Sequence, residues 1–479
     1  MPQGWVAPER RAQNRAPRET KMIKRRDLWN LLLSALLLAA CAVPPQPAPP
    51  PAQALPPVVF VHGNGDSAAL WLTTLWRFES NGWPRQRLHA VEFPYPQARD
   101  DDAVPQPGRS SAEEQRQFLA AEVDRVLAAT GASQVVLMGN SRGGNAIRNY
   151  IRSGGAAKVS HAILGGTPNH GVWADAANQP GNEFNGAGPF LRGLNAPQGA
   201  NGDEVTPGPK WMTIRSDRND KYAQPDGAWI GAKGTPTHVD FDGPALKGAE
   251  NVVLPERDHR ETAYHALAFA AAFRFITGRE PARTEPLPEA VVTLDGSVTG
   301  HTGAGPTNLP LAGAHVAVYA TDPASGARVG AALADRSVGA DGRWGPVVTD
   351  ARTPLEFVVA APGYATTHIY RSPFARSSAI VNLRPERFTA ADKDAVAVVL
   401  MARPRGYFGL PRDRIVLDGR SPPPGIPAGV ASVAVTRLPL ADAGRTVVGE
   451  YGSGAIAERI VGRNWPASDN ALSVIELTY

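Results

Sequence analysis

The chain is almost without cysteine. A single one, Cys41, stands among 479 residues, so neither a disulfide framework nor a cysteine-rich metal site can form within one chain. The ten histidines are scattered, with no HxxxH or HExxH spacing, and there is no P-loop or dinucleotide-type glycine pattern. No metal and no cofactor is therefore expected. An excess of one charge is missing too. Met1 to Ala40 holds eight basic and three acidic residues, which leaves 41 against 42 from Cys41 onward. A nucleic-acid partner has no electrostatic basis in such a body. Long apolar runs are also lacking: Leu28 to Leu38 spans 11 residues, short of the ~20 that a spanning helix needs. What is present is a 43% hydrophobic, 20% charged composition, sufficient for globular cores, in a length that suggests two or three domains.

From Met22 the order is charge (Lys24, Arg25, Arg26), apolar run, then the small residues Ala39 and Ala40 before Cys41. This is the layout of a signal peptide, and 1–40 is read as a leader, with 1–21 lying upstream of a second candidate start at Met22. Arg25-Arg26 also admits twin-arginine export. Leu38-Ala39-Ala40-Cys41 resembles the bacterial lipobox. That resemblance implies lipidation of Cys41, export, and a membrane anchor, with the outer membrane favoured because Ala42 stands where inner-membrane retention is associated with Asp. Residues 41–57 are proline-rich and read as an extended polyproline tether.

Strand and helix patterns alternate from 58 to 278. Short β-rich runs are expected at Val58 to Val61, Leu88 to Phe93, Val135 to Met138, Ala162 to Gly165, Trp211 to Arg215 and Asn251 to Leu254. Helices are expected over Ala68 to Ser80, from the Ser111/Glu114 capping box to Ala129, over Asn145 to Arg152, and over Glu261 to Thr277. Alternation of this kind predicts an α/β fold with a mostly parallel sheet covered by helices on both faces.

Gly139-Asn140-Ser141-Arg142-Gly143 falls between a strand and a helix, the setting of a nucleophile elbow in which glycines make room for an exposed serine hydroxyl. Ser141 then needs a base oriented by an acid, in the chain order Ser, acid, His. His259 follows the last strand and suits the base. Asp217 and Asp220 both follow the strand before it, and spacing does not separate them. Asp258 reads as a surface or helix-N-terminal carboxylate. His62-Gly63-Asn64-Gly65, after the first strand, suits an oxyanion hole, with the main-chain N–H groups of Asn64 and Arg142 as donors. His62 itself reads as a loop-stabilising residue.

Five motifs together, HGNG at 62–65, GNSRGG at 139–144, GGTPNHG at 165–171, SDRNDKYAQPDG at 216–227 and DH at 258–259, resemble α/β-hydrolase lipases and esterases. The resemblance implies a serine ester hydrolase acting on small-molecule or lipid esters and favours Asp220 over Asp217 as the acid. Asn140 and Arg142 depart from the residues usual at those positions, which puts substrate preference in question. The Gly/Pro/Asn-rich insertion Val172 to Pro209, with Phe184, Phe190, Leu191 and Leu194, reads as a cap or lid.

After a linker at 279–290, short apolar runs recur between turn signals at Val291 to Leu294, Ala314 to Tyr319, Leu355 to Ala360, Ala395 to Met401, Ala431 to Val435 and Leu472 to Leu477. They predict an all-β sandwich or barrel over 291–479. Leu311 to Tyr319, Gly339 to Gly345 and Ala361 to Tyr364 resemble transthyretin-like, carboxypeptidase-regulatory-like modules, which implies a lipid-docking or substrate-retaining surface or a stabilising appendage. Two other functions fit the sequence: a polyester depolymerase that binds its substrate through the β domain, and a non-catalytic envelope lipoprotein.

Overall fold

A computed structural model describes residues 55–198, 201–228 and 233–479. The leader, Cys41 and the tether up to residue 54 lie outside the described residues. Strands β1 (Val58–Val61), β2 (Leu88–Ala90), β5 (Val135–Asn140), β6 (Val159–Gly165), β7 (Lys210–Ser216) and β8 (Glu250–Leu254) form one six-stranded sheet in the order β2-β1-β5-β6-β7-β8. Every pairing in it is parallel. A short parallel ladder, β3 (Gln97–Ala98) with β4 (Arg109–Ser110), lies apart from it.

Alternation along the strands supplies a core to each face. Phe60, Met138, Ile163 and Ile214 pack with Phe78 of α1 (Leu72–Ser80) and with Phe269 and Phe273. On the other face, Val61, Leu137 and Leu164 pack with Leu119 and Val123 of α2 (Ala112–Thr130) and with Ile147 of α3 (Arg142–Tyr150). The expected Ser111/Glu114 capping box is formed, and Gly131 ends α2 in the left-handed conformation. The chain leaves β1 toward β2 and later returns to β1's other side with β5. The strand order thus reverses at the carboxyl ends of β1 and β5, where open α/β sheets build their sites.

The insertion after β6 contains a short helix, α4 (Pro189–Leu194). The continuous helix expected over Glu261 to Thr277 is broken at His265, which has extended ψ 154 and whose ring caps Leu267 N. Two helices result, α5 (Glu261–Tyr264) and α6 (Ala266–Thr277).

The C-terminal region is all β, in three layers. A seven-stranded sheet runs through its middle, from β11 (His315–Thr321), β12 (Arg328–Ser337), β14 (Leu355–Ala360), β15 (Thr366–Arg371), β17 (Ala397–Ala402), β19 (Val435–Leu440) and β22 (Ala471–Glu476). One face packs on β9 (Val292–Thr302), β10 (Gly305–Pro310), β13 (Val347–Thr349) and β16 (Ser378–Leu383). The other packs on β18 (Arg414–Leu417), β20 (Thr446–Ser453) and β21 (Ile456–Arg463). β17 shows why its sequence is apolar throughout: Val398 and Leu400 enter the first core, Val399 and Met401 the second. The run Ala431 to Val435 does not form the strand expected of it; that strand starts at Val435.

The α/β segment and the β region share their packing. Leu72 and Trp76 of α1 lie in the core of the first β layer, and the Trp76 indole donates to Ser377 O at 3.2 Å. The segment 279–290 runs as a strap, with Arg77 Nε donating to Thr284 O at 2.7 Å and Arg85 and Arg376 both paired with Glu289. The deepest contact is Arg403, fully buried just after β17. Its guanidinium donates to Asp258 Oδ2 at 2.7 Å, Glu261 Oε1 at 2.6 Å and Tyr264 Oη at 3.0 Å. Of the two readings of Asp258, the helix-N-terminal one holds, since its Oδ1 accepts from Arg260 N at 2.8 Å at the start of α5, and the surface one does not. Asp258 is completely buried, accepts from Tyr407 N at 2.8 Å and from Glu261 N at 2.9 Å, and faces a cation from the far end of the chain. Burial pushes Glu261 up, but Arg403 and Arg412 more than offset this and hold it below the usual carboxylate range. Burial and the adjacent Glu261 push Asp258 up.

A buried pair that loses one partner leaves an uncompensated charge, at a cost of about 3–5 kcal/mol. Arg403→Met is expected to destabilise the chain by that amount in urea unfolding. A change under about 0.5 kcal/mol, the range of ordinary surface substitutions, would show that the cluster contributes no structural coupling.

Candidate active site

Ser141 sits between β5 and α3 with φ 54 and ψ −123, a conformation costing roughly 1–3 kcal/mol for a residue with a side chain. The surroundings hold it there. Its N–H donates to Gly165 O at 2.9 Å, and the flanking glycines leave no room for larger residues: a Cβ on Gly143 would stand 2.6 Å from His62 O, and one on Gly139 2.8 Å from Gly144 N. Ser141 is 9% exposed, open only to the cavity it lines.

His259, between β8 and α5, presents Nδ1 to both oxygens of Asp220, at 2.9 and 2.8 Å. Asp220, in the loop after β7, is itself fixed by Tyr222 N at 2.8 Å. The Tyr222 ring meets the imidazole edge-on at a centroid distance of 4.6 Å. His259 Nε2 is buried and has no hydrogen-bond partner among the described residues, the Ser141 hydroxyl included. Asp217 turns away from this group. Its carboxylate accepts from Glu256 N at 3.0 Å and Ser216 Oγ at 3.2 Å, closing the two loops beneath the site. Of the two carboxylates the sequence leaves open, the fold brings Asp220 to the imidazole.

His62 is completely buried. Phe93 N donates to its Nε2 at 3.1 Å and its Nδ1 faces Gly63 O at 3.0 Å. Burial pulls its pKa down to about 4, so the ring is neutral and acts as a brace for the loop. The Asn64 side chain is engaged by Gln97 Oε1 at 3.1 Å and Ala98 N at 2.7 Å, which fixes the backbone of the loop beside Ser141. Arg142 is the first residue of α3, so its N–H has no intrahelical acceptor. Its guanidinium is fully buried, pairs with Glu183, and donates to Ser110 O at 2.6 Å and Pro96 O at 3.1 Å. Burial pushes Glu183 up to about 7.

Three functional features escaped the sequence. Asn140, noted only as a departure, donates through Nδ2 to Gly165 O at 3.1 Å and His259 O at 3.3 Å, tying the elbow to the histidine loop. Glu183 belongs to the expected lid, and its pairing with Arg142 anchors that insertion beside the elbow; Val172, Trp173 and Phe184 from the same segment line the cavity over Ser141. Phe190, Leu191 and Leu194 do not line it. Tyr407 comes from the β region. Its ring lies between Lys221 Nζ at 3.8 Å and the Arg260 guanidinium at 4.7 Å, neighbours of Asp220 and His259. None of these contacts has a local signal, since Tyr407 and Asp258 are 149 positions apart.

The cavity measures about 480 Å³ and takes in Asn64, Ser141, His259, Tyr222 and Tyr407. Among the described residues, no group of three or more His, Cys, Asp or Glu could hold a metal ion, and no helix is long and apolar enough to cross a membrane.

Residues 56–177 match the family model of the class 2 lipases, and residues 290–388 match the lipase C-terminal domain. The latter stretch covers the module expected from Val291 to Leu383. No curated protein sequence matches the chain. Similar solved structures include the mature lipase BlEst2 of Bacillus licheniformis, with 19% identity and a TM-score of 0.34 over 48% of this chain and 96% of that one. They also include phospholipase PlaB of Legionella pneumophila, with 11% identity and a TM-score of 0.32 over 71% and 97%, and carboxylesterase CesB of Bacillus subtilis, with 14% identity and a TM-score of 0.26 over 47% and 85%. Two family models thus match separate stretches of the chain, that of the class 2 lipases within the segment built on the parallel sheet and that of the lipase C-terminal domain at the start of the β region.

Proposed function

We propose that the chain is a serine carboxylic-ester hydrolase in which Ser141, His259 and Asp220 act as a triad. The observation that carries this reading is the Asp220 carboxylate on His259 Nδ1, at 2.8 and 2.9 Å, in the cavity that Ser141 lines. With Nδ1–H held by Asp220, the imidazole keeps Nε2 as its basic nitrogen. Ser141 Oγ attacks the ester carbonyl as Nε2 takes the hydroxyl proton. The carbonyl oxygen becomes the oxyanion, which the N–H groups of Asn64 and Arg142 receive. On collapse the C–O bond to the alcohol breaks, and the imidazolium returns the proton to the leaving alkoxide. Water, deprotonated by His259, then releases the acid from the acyl-serine. Val172, Trp173 and Phe184 are read as the apolar wall for the substrate. Cys41 is read as the lipid attachment point of an exported, membrane-anchored protein, a reading supported by the signal-peptide layout before it.

Fluorophosphonate labelling tests the assignment. The wild type is expected to be labelled and Ser141→Ala to be blank; an unlabelled wild type would sink the enzyme reading. Loss of the orienting carboxylate costs on the order of 10⁴-fold in kcat in triads. Asp220→Asn is therefore expected to lose roughly 10³- to 10⁴-fold in kcat on p-nitrophenyl esters, whereas Asp217→Asn stays within about tenfold. Equal losses from the two would reject Asp220 as the acid. Phe184→Ala is expected to raise kcat/KM for long acyl chains relative to short ones, read from a p-nitrophenyl ester series. An unchanged ratio would remove Phe184 from the acyl wall.

A further inference from the structure

A second cavity, about 290 Å³, lies where the catalytic segment meets the β region, separated from the site above by Asp66 and Arg260. Its walls bring four arginines together: Arg260 beside His259, and Arg371, Arg384 and Arg405 from the β region. Two of them are neutralised locally, Arg260 by Asp66 and Arg371 by Glu476. Arg384 and Arg405 have only backbone and amide acceptors. Arg384 Nη2 donates to Thr307 O at 3.2 Å and Asn308 Oδ1 at 3.1 Å, and Arg405 donates to Thr478 O and Leu477 O, both at 2.7 Å.

The third carboxylate of the lining, Glu386, forms no ion pair with Arg384 or Arg405 among the described residues, so the lining itself holds four arginines against three carboxylates; Glu92 and Glu458 stand behind Arg384 and Arg405 outside the lining, and burial pushes both carboxyl groups up. The donors are also in excess. In Arg371, Arg384 and Arg405 every partnered nitrogen is Nε or Nη2, and Nη1 of each has no protein acceptor among the described residues. Arg371 Nε, Arg384 Nε and His301 Nδ1 are buried without a partner. Arg371 and Arg405 are only 3% and 2% exposed. Buried cations with unused N–H groups are costly unless an acceptor completes them, and planar guanidiniums suit the paired oxygens of a carboxylate or phosphate.

We propose that this cavity binds a small oxyanion, a carboxylate or a phosphate, bridging the β region to the Asp66 and Arg260 side of the catalytic segment. The anion accepts from the free Nη1 groups of Arg384, Arg405 and Arg371. Glu386 stands as the internal carboxylate it must work against.

Isothermal titration calorimetry of the full chain tests this, with inorganic phosphate and acetate at an ionic strength held constant with chloride. Saturable binding is expected, and Ser141→Ala is expected to bind as the wild type does, so the result is independent of the hydrolase reading. Arg384→Gln, which removes a charge-assisted donor, is expected to weaken binding by about tenfold or more. Glu386→Gln, which removes the competing carboxylate, is expected to tighten it several-fold, a change that mere loss of fold would not produce. A response to acetate alone assigns the carboxylate of an acid. A response to phosphate alone, compared with glycerol 3-phosphate, separates the free ion from a lipid headgroup. No saturable heat, or binding that neither substitution alters and that therefore reports an adventitious ion only, would overturn the proposal.

Discussion

One guanidinium sets the geometry on which the rest of the site depends. Arg403 leaves the end of a strand in the β region and is buried against Asp258 and Glu261, the residues on either side of the His259–Arg260 step. Two carboxylates so close together in a dry interior need a countercharge, and the α/β segment does not supply one. Its histidine loop is therefore built around a cation delivered from the other end of the chain. Arg412 adds a second contact to Glu261 at 2.8 Å, and Tyr407 closes the arrangement by hydrogen-bonding Asp258 through its N–H while its ring stands between Lys221 and Arg260. The loops carrying Asp220 and His259 are thus held against the same short segment of β region.

This arrangement gives the C-terminal region a role that an appended module would lack. The shared core at Leu72 and Trp76, the strap at 279–290 and the buried ion cluster all join the two parts. Asn308 of β10 also donates to Asp66 O and Phe93 O, at 2.8 and 3.0 Å, at the edge of the loop that carries Asn64. Strain at Ser141 is maintained from the other side by Gly165 O and by Asn140, whose amide reaches the His259 carbonyl. Ser141 and His259 are thereby linked through the Asn140 amide even though no hydrogen bond joins their side chains.

Much of this was legible in the sequence where the cause is local. The elbow is written in Gly139, Ser141 and Gly143 because the steric requirement is satisfied within five residues. The capping box at Ser111 and the alternation of strands and helices are equally local. Spacing did not separate Asp220 from Asp217, which the motif resemblance alone favoured, since both leave the same strand and the fold of the 217–222 turn decides which faces the imidazole. The place of Asp258 at a helix N-terminus was legible, but its burial was not, because its cationic partner is 145 positions away. Several β-region strands were missed for a related reason. Thr366 to Arg371 carries polar residues that are buried by neighbouring sheets, and in His368 the burial is made acceptable by Glu356, which belongs to the adjacent strand.

The β region and the histidine loop are joined as a single cooperative unit. Scanning calorimetry run in parallel with fluorophosphonate reactivity at each temperature tests it most directly. One transition is expected, with reactivity lost as the β structure melts. Two separated transitions, with the β region melting first and Ser141 still reactive, would contradict it.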